Sequence, residues 1–245
     1  MVLPTLLQVL LYAAVVLLSY ALLDQVLNTY SHRLSIWLRP LRRYSLRELD
    51  QMVRIALWPL ALVGLLCPAV LAILAVKFSS LLMESLDPWL LLFGILVGLG
   101  EAGVAEFVCL VAVCAVPALA WADGAGGPDR RQLATWSTAV PCTRTVSGLS
   151  FMLALMLLYA AVEETTLRAA VIVAALPLGP IVALACAVAL SLAVQFFPTT
   201  SGQRRSFAVI GTLVAAPVHG ALFLAAPDVR PLIIAQFVLL LRTAA

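Results

Sequence analysis

The chain has 245 residues, 64% of them hydrophobic and 11% charged, with a mean hydropathy of +1.10 and a formal net charge of +3. A soluble domain carries about a quarter charged residues, so this composition excludes one, and so small a positive excess gives no footing for nucleic-acid binding. Several apolar runs approach or exceed the ~20 residues that a helix needs to cross a bilayer. The sequence therefore predicts an all-α, polytopic transmembrane helical bundle of about seven spans, an integral membrane protein whose first partner is the lipid bilayer.

Residues 2–23 form the first predicted span, closed by Asp24. This segment lacks the basic n-region and small-residue cleavage site of a secretory signal, so it reads as a retained helix. Residues 31–54 then carry six arginines (Arg33, Arg39, Arg42, Arg43, Arg47 and Arg54) interleaved with Trp37, Leu41, Leu46 and Leu49. That mixture suits a helix lying among anionic headgroups, with a solvated cytoplasmic loop as the alternative. A second span, 55–76, contains Pro59 and Pro68 as sources of kinks that neighbouring helices absorb. Residues 89–121 are one tilted helix or a broken pair, and the parity of the spans favours a single crossing.

Glycine, proline, aspartate and arginine mark 123–144 as a cytoplasmic linker. It separates an N-terminal part, 1–122, from a C-terminal part, 145–245, with spans at 146–176, 179–197, 207–226 and 232–241. Arginine and lysine collect on the cytoplasmic side of short loops. With the N-terminus outside, twelve basic residues fall inside, only Lys77 and Arg230 fall outside, and Arg168 lies within the membrane. The expected topology is N-terminus out and C-terminus in, in a bacterial plasma membrane.

Within the apolar run 146–176 stands "YAAVEETTLRAAV", which places Glu163, Glu164 and Arg168 in the membrane. A charge at the bilayer centre costs at least ~2.5–3.5 kcal/mol, so such residues face protein or water and are paired. Glu164 and Arg168 are four apart and share a helix face, as an ion pair requires. Glu163 is rotated by about 100° and must find another partner, or stand ready to take up and release a proton as a general acid or base does. A buried polar knot that holds helices together is the alternative reading of the same three residues.

The stretch "EETTLR", led in by "MLLYAAV", resembles the EExxxR motif of the CPBP family, the CAAX-prenyl endopeptidases and bacteriocin-processing intramembrane proteases. The likeness covers about residues 146–241 and makes the C-terminal half CPBP-like. It implies that Glu163 acts with two later histidines and that Arg168 supports Glu164. The family's FxxxH position falls near Gln195, in "ALSLAVQFFPTT", and its HxxxN position falls at Gln236 and Leu240, in "APDVRPLIIAQFVLLL". His219, in "APVHGALF", offers another register for the last motif, but Phe223 then stands where asparagine belongs. In the Gln236 register neither family histidine is present. Glutamine donates a hydrogen bond to an oxyanion but does not titrate near neutral pH or bind metal as imidazole does, so the resemblance implies a degenerate site.

Glu101 and Glu106 are two further intramembrane acids; five apart, they point about 140° from each other, so that one can meet the Arg168 and Glu163 site and the other a cavity or partner. Gly94 and Gly98, extended by Ala102, form a GxxxG pattern that favours close helix packing. No ligand set for a metal and no cofactor motif is present, and the five cysteines read as packing residues. Three functions follow as expectations. The first is a non-catalytic accessory or binding subunit of a membrane complex, partnered by other membrane subunits. The second is an active glutamate-dependent intramembrane protease built on Glu163, Glu164, Gln195 and Gln236 or His219. The third is a small transporter or channel component using Glu101 and Glu106.

Overall fold

The computed structural model describes residues 2–37, 46–83, 85, 87–115, 146–195 and 205–244. Among them the chain is an all-α bundle. Its helices are α1 (Val2–Trp37), α2 (Leu46–Ala69), α3 (Pro88–Ala115), α4 (Val146–Glu163), α5 (Ala170–Ala175), α6 (Pro180–Val194), α7 (Arg205–Ala225) and α8 (Val229–Ala244). A π turn, Glu164–Ala169, joins α4 to α5 without a break. Four stretches are long and apolar enough to cross a membrane: Leu3–Leu27, Ala56–Leu74, Pro88–Val108 and Ser150–Leu178. Three shorter apolar helices, Pro180–Val194, Val209–Ala225 and Val229–Leu241, bring the number among the described residues to seven.

Local signals explain several boundaries. Asp87 accepts the backbone N–H of Trp89 at 2.9 Å, and Pro88 occupies the first helical position of α3, where its missing N–H costs nothing. Gly179, at φ +106°, turns the chain between α5 and α6, and Pro180 starts α6. The helix of α2 continues through Pro59 and Pro68 and loosens only afterwards, into the π turn Val70–Leu74. Residues 123–144, predicted as the linker, and 38–45 of the basic segment lie outside the described residues.

The first helix differs from expectation. It does not stop at Asp24 but runs 36 residues to Trp37. One acid in a run of helix formers is no stop signal, since neither proline nor glycine follows it. At 1.5 Å per residue the helix is roughly 54 Å long, so its last turns pass beyond the apolar stretch Leu3–Leu27. Those turns carry Tyr30 and Arg33, the guanidinium lying 5.8 Å from the ring centroid.

Leucine, isoleucine and phenylalanine are found on the outside as well as in the core. Leu7, Leu10, Leu18, Phe93, Leu96, Phe107 and Ile181 are exposed, while Glu101, Glu163, Glu164, Arg168, His219 and Gln236 are buried. This distribution is the one a bilayer selects, because lipid solvates apolar side chains and leaves polar ones to find partners inside.

Small residues fix how α3 meets α8. A Cβ on Gly94 would lie 2.5 Å from the carbonyl oxygen of Pro231, and one on Gly98 would meet the carbonyl oxygen of Ala235. Ala102 and Leu239 continue the seam in a small buried cluster with Ala215. Each step of four residues along α3 is matched by a step of four along α8, so the two helices run parallel. A single crossing by α3, followed by three crossings before α8, gives that parity. The GxxxG pattern read in the sequence is thus a backbone-to-backbone contact.

Candidate functional site

The site begins with a change in backbone hydrogen bonding. The N–H of Ala170 bonds to the carbonyl of Thr165, five residues back, in place of the α-helical partner, Thr166. Thr166 sends its own hydroxyl to the carbonyl of Val162 at 2.6 Å, the back-bonding that disturbs helices at threonine. The released carbonyl of Thr166 accepts the phenolic O–H of Tyr12 from α1, at 3.0 Å. A buried carbonyl left without a donor is costly, and Tyr12 removes that cost. Single π turns inside α-helices often sit at functional positions, and this one carries the charged motif.

Glu164 opens the π turn and Arg168 closes its last turn, both almost without exposed surface. Arg168 Nη1 donates to Glu164 Oε1, as the spacing of four predicts. The same oxygen of Glu164 faces His219 Nδ1 at 2.9 Å. On the other side of the ring, His219 Nε2 faces Glu101 Oε2 at 2.8 Å. An unbroken polar chain therefore runs from α3 through α7 to the π turn: Glu101, His219, Glu164, Arg168. Pro217, two residues before His219, removes one N–H from α7 at this level.

Glu163 takes a different partner. Gln236 of α8 donates its Nε2 to Glu163 Oε2 at 2.7 Å, and both side chains are buried. Tyr20 and Tyr159 lie within electrostatic reach of Glu163 and Arg168. Several buried atoms of the same group have no hydrogen-bond partner among the described residues: Glu101 Oε1, Glu164 Oε2, Arg168 Nε and Gln236 Oε1. Among the described residues, no three His, Cys, Asp or Glu side chains are grouped so as to hold a metal ion.

Of the residues singled out in the sequence, the fold brings together Glu101, Glu163, Glu164, Arg168, His219 and Gln236. It does not bring Gln195 or Glu106 to them. Gln195 caps the C-terminal end of α6, its N–H on the carbonyl of Leu192 at 3.1 Å. The reason is register: α6 meets α7 where Leu184 packs on Gly220, and Gln195 lies eleven residues further, about 16 Å along the helix. Glu106 is on the exposed face of α3, the far side from Glu101, as their five-residue separation requires. In the sequence, His219 and Gln236 stand as alternative registers for the last motif position. Both are in the site, each on a different glutamate. Tyr12 and Thr166 are not legible in the sequence, where a tyrosine in an apolar helix and a threonine pair give no signal of a displaced carbonyl.

The chain matches no family model, no curated protein and no solved structure. Fold and site together define an integral membrane protein, an all-α bundle with a polar core closed off from its apolar surface.

Proposed function

We propose that this protein is a non-catalytic accessory or binding subunit of a membrane complex, built on a CPBP-like core whose hydrolytic site has become a structural and binding element. The observation that carries the proposal is the way the imidazole and the first glutamate are occupied. Glu163, the water-activating position that the resemblance implies, is held by the amide of Gln236 and by no imidazole. The one histidine of the cluster, His219, has both ring nitrogens engaged by carboxylates, Glu164 and Glu101. Neither nitrogen is left to orient water on Glu163 or to stabilise an oxyanion, which a general base and its electrophilic partner need. The pairing of Arg168 with Glu164 survives without that chemistry because it neutralises a buried charge.

The test is purification of tagged wild-type and Glu163→Gln protein from native-level expression in mild detergent. The expected result is the same membrane partner, in the same stoichiometry, with both. A chain that purifies alone, or a Glu163→Gln variant of normal abundance that loses cleavage of a membrane substrate, overturns the proposal in favour of a glutamate-dependent protease. The transport reading has less support, since Glu101 is buried against His219 while Glu106 lies on the exposed face of the same helix.

A further inference from the structure

A count of hydrogens in the polar core leads further than its shape. His219 presents one ring nitrogen to Glu164 Oε1 at 2.9 Å and the other to Glu101 Oε2 at 2.8 Å. A neutral imidazole has one N–H and one lone pair, and an ionised carboxylate has only lone pairs. Two hydrogen bonds across this three-member chain therefore need two protons. They sit either as an imidazolium between two carboxylates, or as a neutral imidazole with one carboxylic acid. Remove one, and a ring lone pair faces a carboxylate oxygen at under 3 Å in a region without solvent. That contact then repels.

We infer that Glu101, His219 and Glu164 form a proton-binding site in which one exchangeable proton latches α3 to α7 and the π turn. The groups that face His219 set where the latch opens. The π turn supplies Glu164 and Arg168, α4 supplies Glu163 and α3 supplies Glu101, while the neutral Gln236 of α8 is held on Glu163. Helix α6, which packs Leu184 on Gly220, carries no charged residue. Glu164 keeps Arg168 as a partner whatever happens at the ring. Glu101 has no such second partner, for its Oε1 makes no hydrogen bond among the described residues. Loss of the proton thus separates Glu101 from His219. Because Gly94 and Gly98 bind α3 to α8 backbone to backbone, α3 and α8 move as a pair. Acid closes the latch and alkali opens it.

This inference does not depend on whether the chain acts as an accessory subunit, because it concerns the proton and not the partner. The test uses the full chain in nanodiscs of phosphatidylcholine and phosphatidylglycerol, with backbone hydrogen exchange followed from about pH 5 to about pH 9, an interval that spans imidazole titration. After correction for the intrinsic pH dependence of exchange, peptides covering residues 98–105 of α3 should exchange about tenfold faster on the alkaline side, the scale of one lost buried hydrogen bond. Peptides from 12–20 of α1 should not change. In Glu101→Gln the amide donates to or accepts from the ring without titrating, so the profile flattens. His219→Gln puts a non-titrating amide where the imidazole stood, so it removes the shared proton, flattens the profile too and serves if the first variant fails to fold. Glu106→Gln keeps the wild-type profile. A flat wild-type profile overturns the inference, and so does a transition that persists in whichever of Glu101→Gln and His219→Gln folds.

Discussion

Gln236 donates its side-chain amide to Glu163 across 73 positions of sequence, and this bond is what distinguishes the two adjacent glutamates. Glu164 has a cation and an imidazole; Glu163 has an amide. Replacing Gln236 with leucine leaves a buried carboxyl oxygen without a donor, at a cost of about 1–3 kcal/mol. Thermal unfolding in detergent should show a lower midpoint, by about 2–4 °C for each kcal/mol in a chain of this size. Glu163→Gln should cost less than about 1 kcal/mol, because two amides pair as an amide and a carboxylate do. An unchanged midpoint in Gln236→Leu would show that the bond contributes nothing.

The ion pair in the π turn predicts a larger and non-additive effect. Arg168→Met leaves Glu164, at zero exposure, with His219 but without its cation, and breaking a buried pair from one side costs about 3–5 kcal/mol. The double variant Glu164→Gln/Arg168→Met removes both charges and leaves His219 an amide to bond. It should recover more than half of the single variant's loss. A double variant as damaged as Arg168→Met alone would place the loss in packing and not in charge.

How far the sequence revealed this arrangement depended on the distance over which each signal acts. Helical spans were legible because hydrophobic run length is a local property. The Glu164 and Arg168 pair was legible because a spacing of four puts both on one face, and the Gly94 and Gly98 seam because its spacing is also local. His219 was not, since its partners lie 55 and 118 positions away and only the register between α3, α7 and the π turn brings them together. The π turn itself hides in a sequence that is helical throughout. Thr165 and Thr166 lower helix propensity slightly, too little to announce a hydrogen bond shifted by one residue. The end of α1 is not legible either, because a single acid such as Asp24 is no stop signal and the helix passes through it to Trp37.

The seam between α3 and α8 predicts a position-specific cost within one glycine-rich stretch. Gly98→Ala brings a methyl group against the Ala235 carbonyl and within 2.9 Å of Val238 Cβ, so the helices must separate. Overpacking of this kind costs about 1–3 kcal/mol. Gly100→Ala and Gly103→Ala meet nothing within 4 Å and should be neutral, or stabilising by up to about 1 kcal/mol through helix propensity. Unfolding midpoints of the three variants decide the matter, and equal effects at 98 and 100 would remove the parallel seam.

Arg230 ties the start of α8 to the connection that precedes α3. Its Nη2 donates to the carbonyl of Ser85 at 2.9 Å and of Met83 at 3.2 Å, while Nε donates to both oxygens of Asp228 at 2.9 Å. Asp228 in turn accepts the backbone N–H of Arg230 at 3.0 Å, so one carboxylate both caps the helix and holds the guanidinium in place. The clasp is local, and its two carbonyl acceptors lie on exposed residues. Arg230→Ala should therefore leave the unfolding midpoint close to that of the wild type while backbone exchange and proteolysis rise across residues 78–87. Asp228→Asn keeps a cap for α8 but weakens the hold on Arg230, and it should raise exchange in 78–87 less than Arg230→Ala does. A global loss of stability in Arg230→Ala with unchanged exchange in 78–87 would mean that the bundle, and not this connection, depends on the arginine.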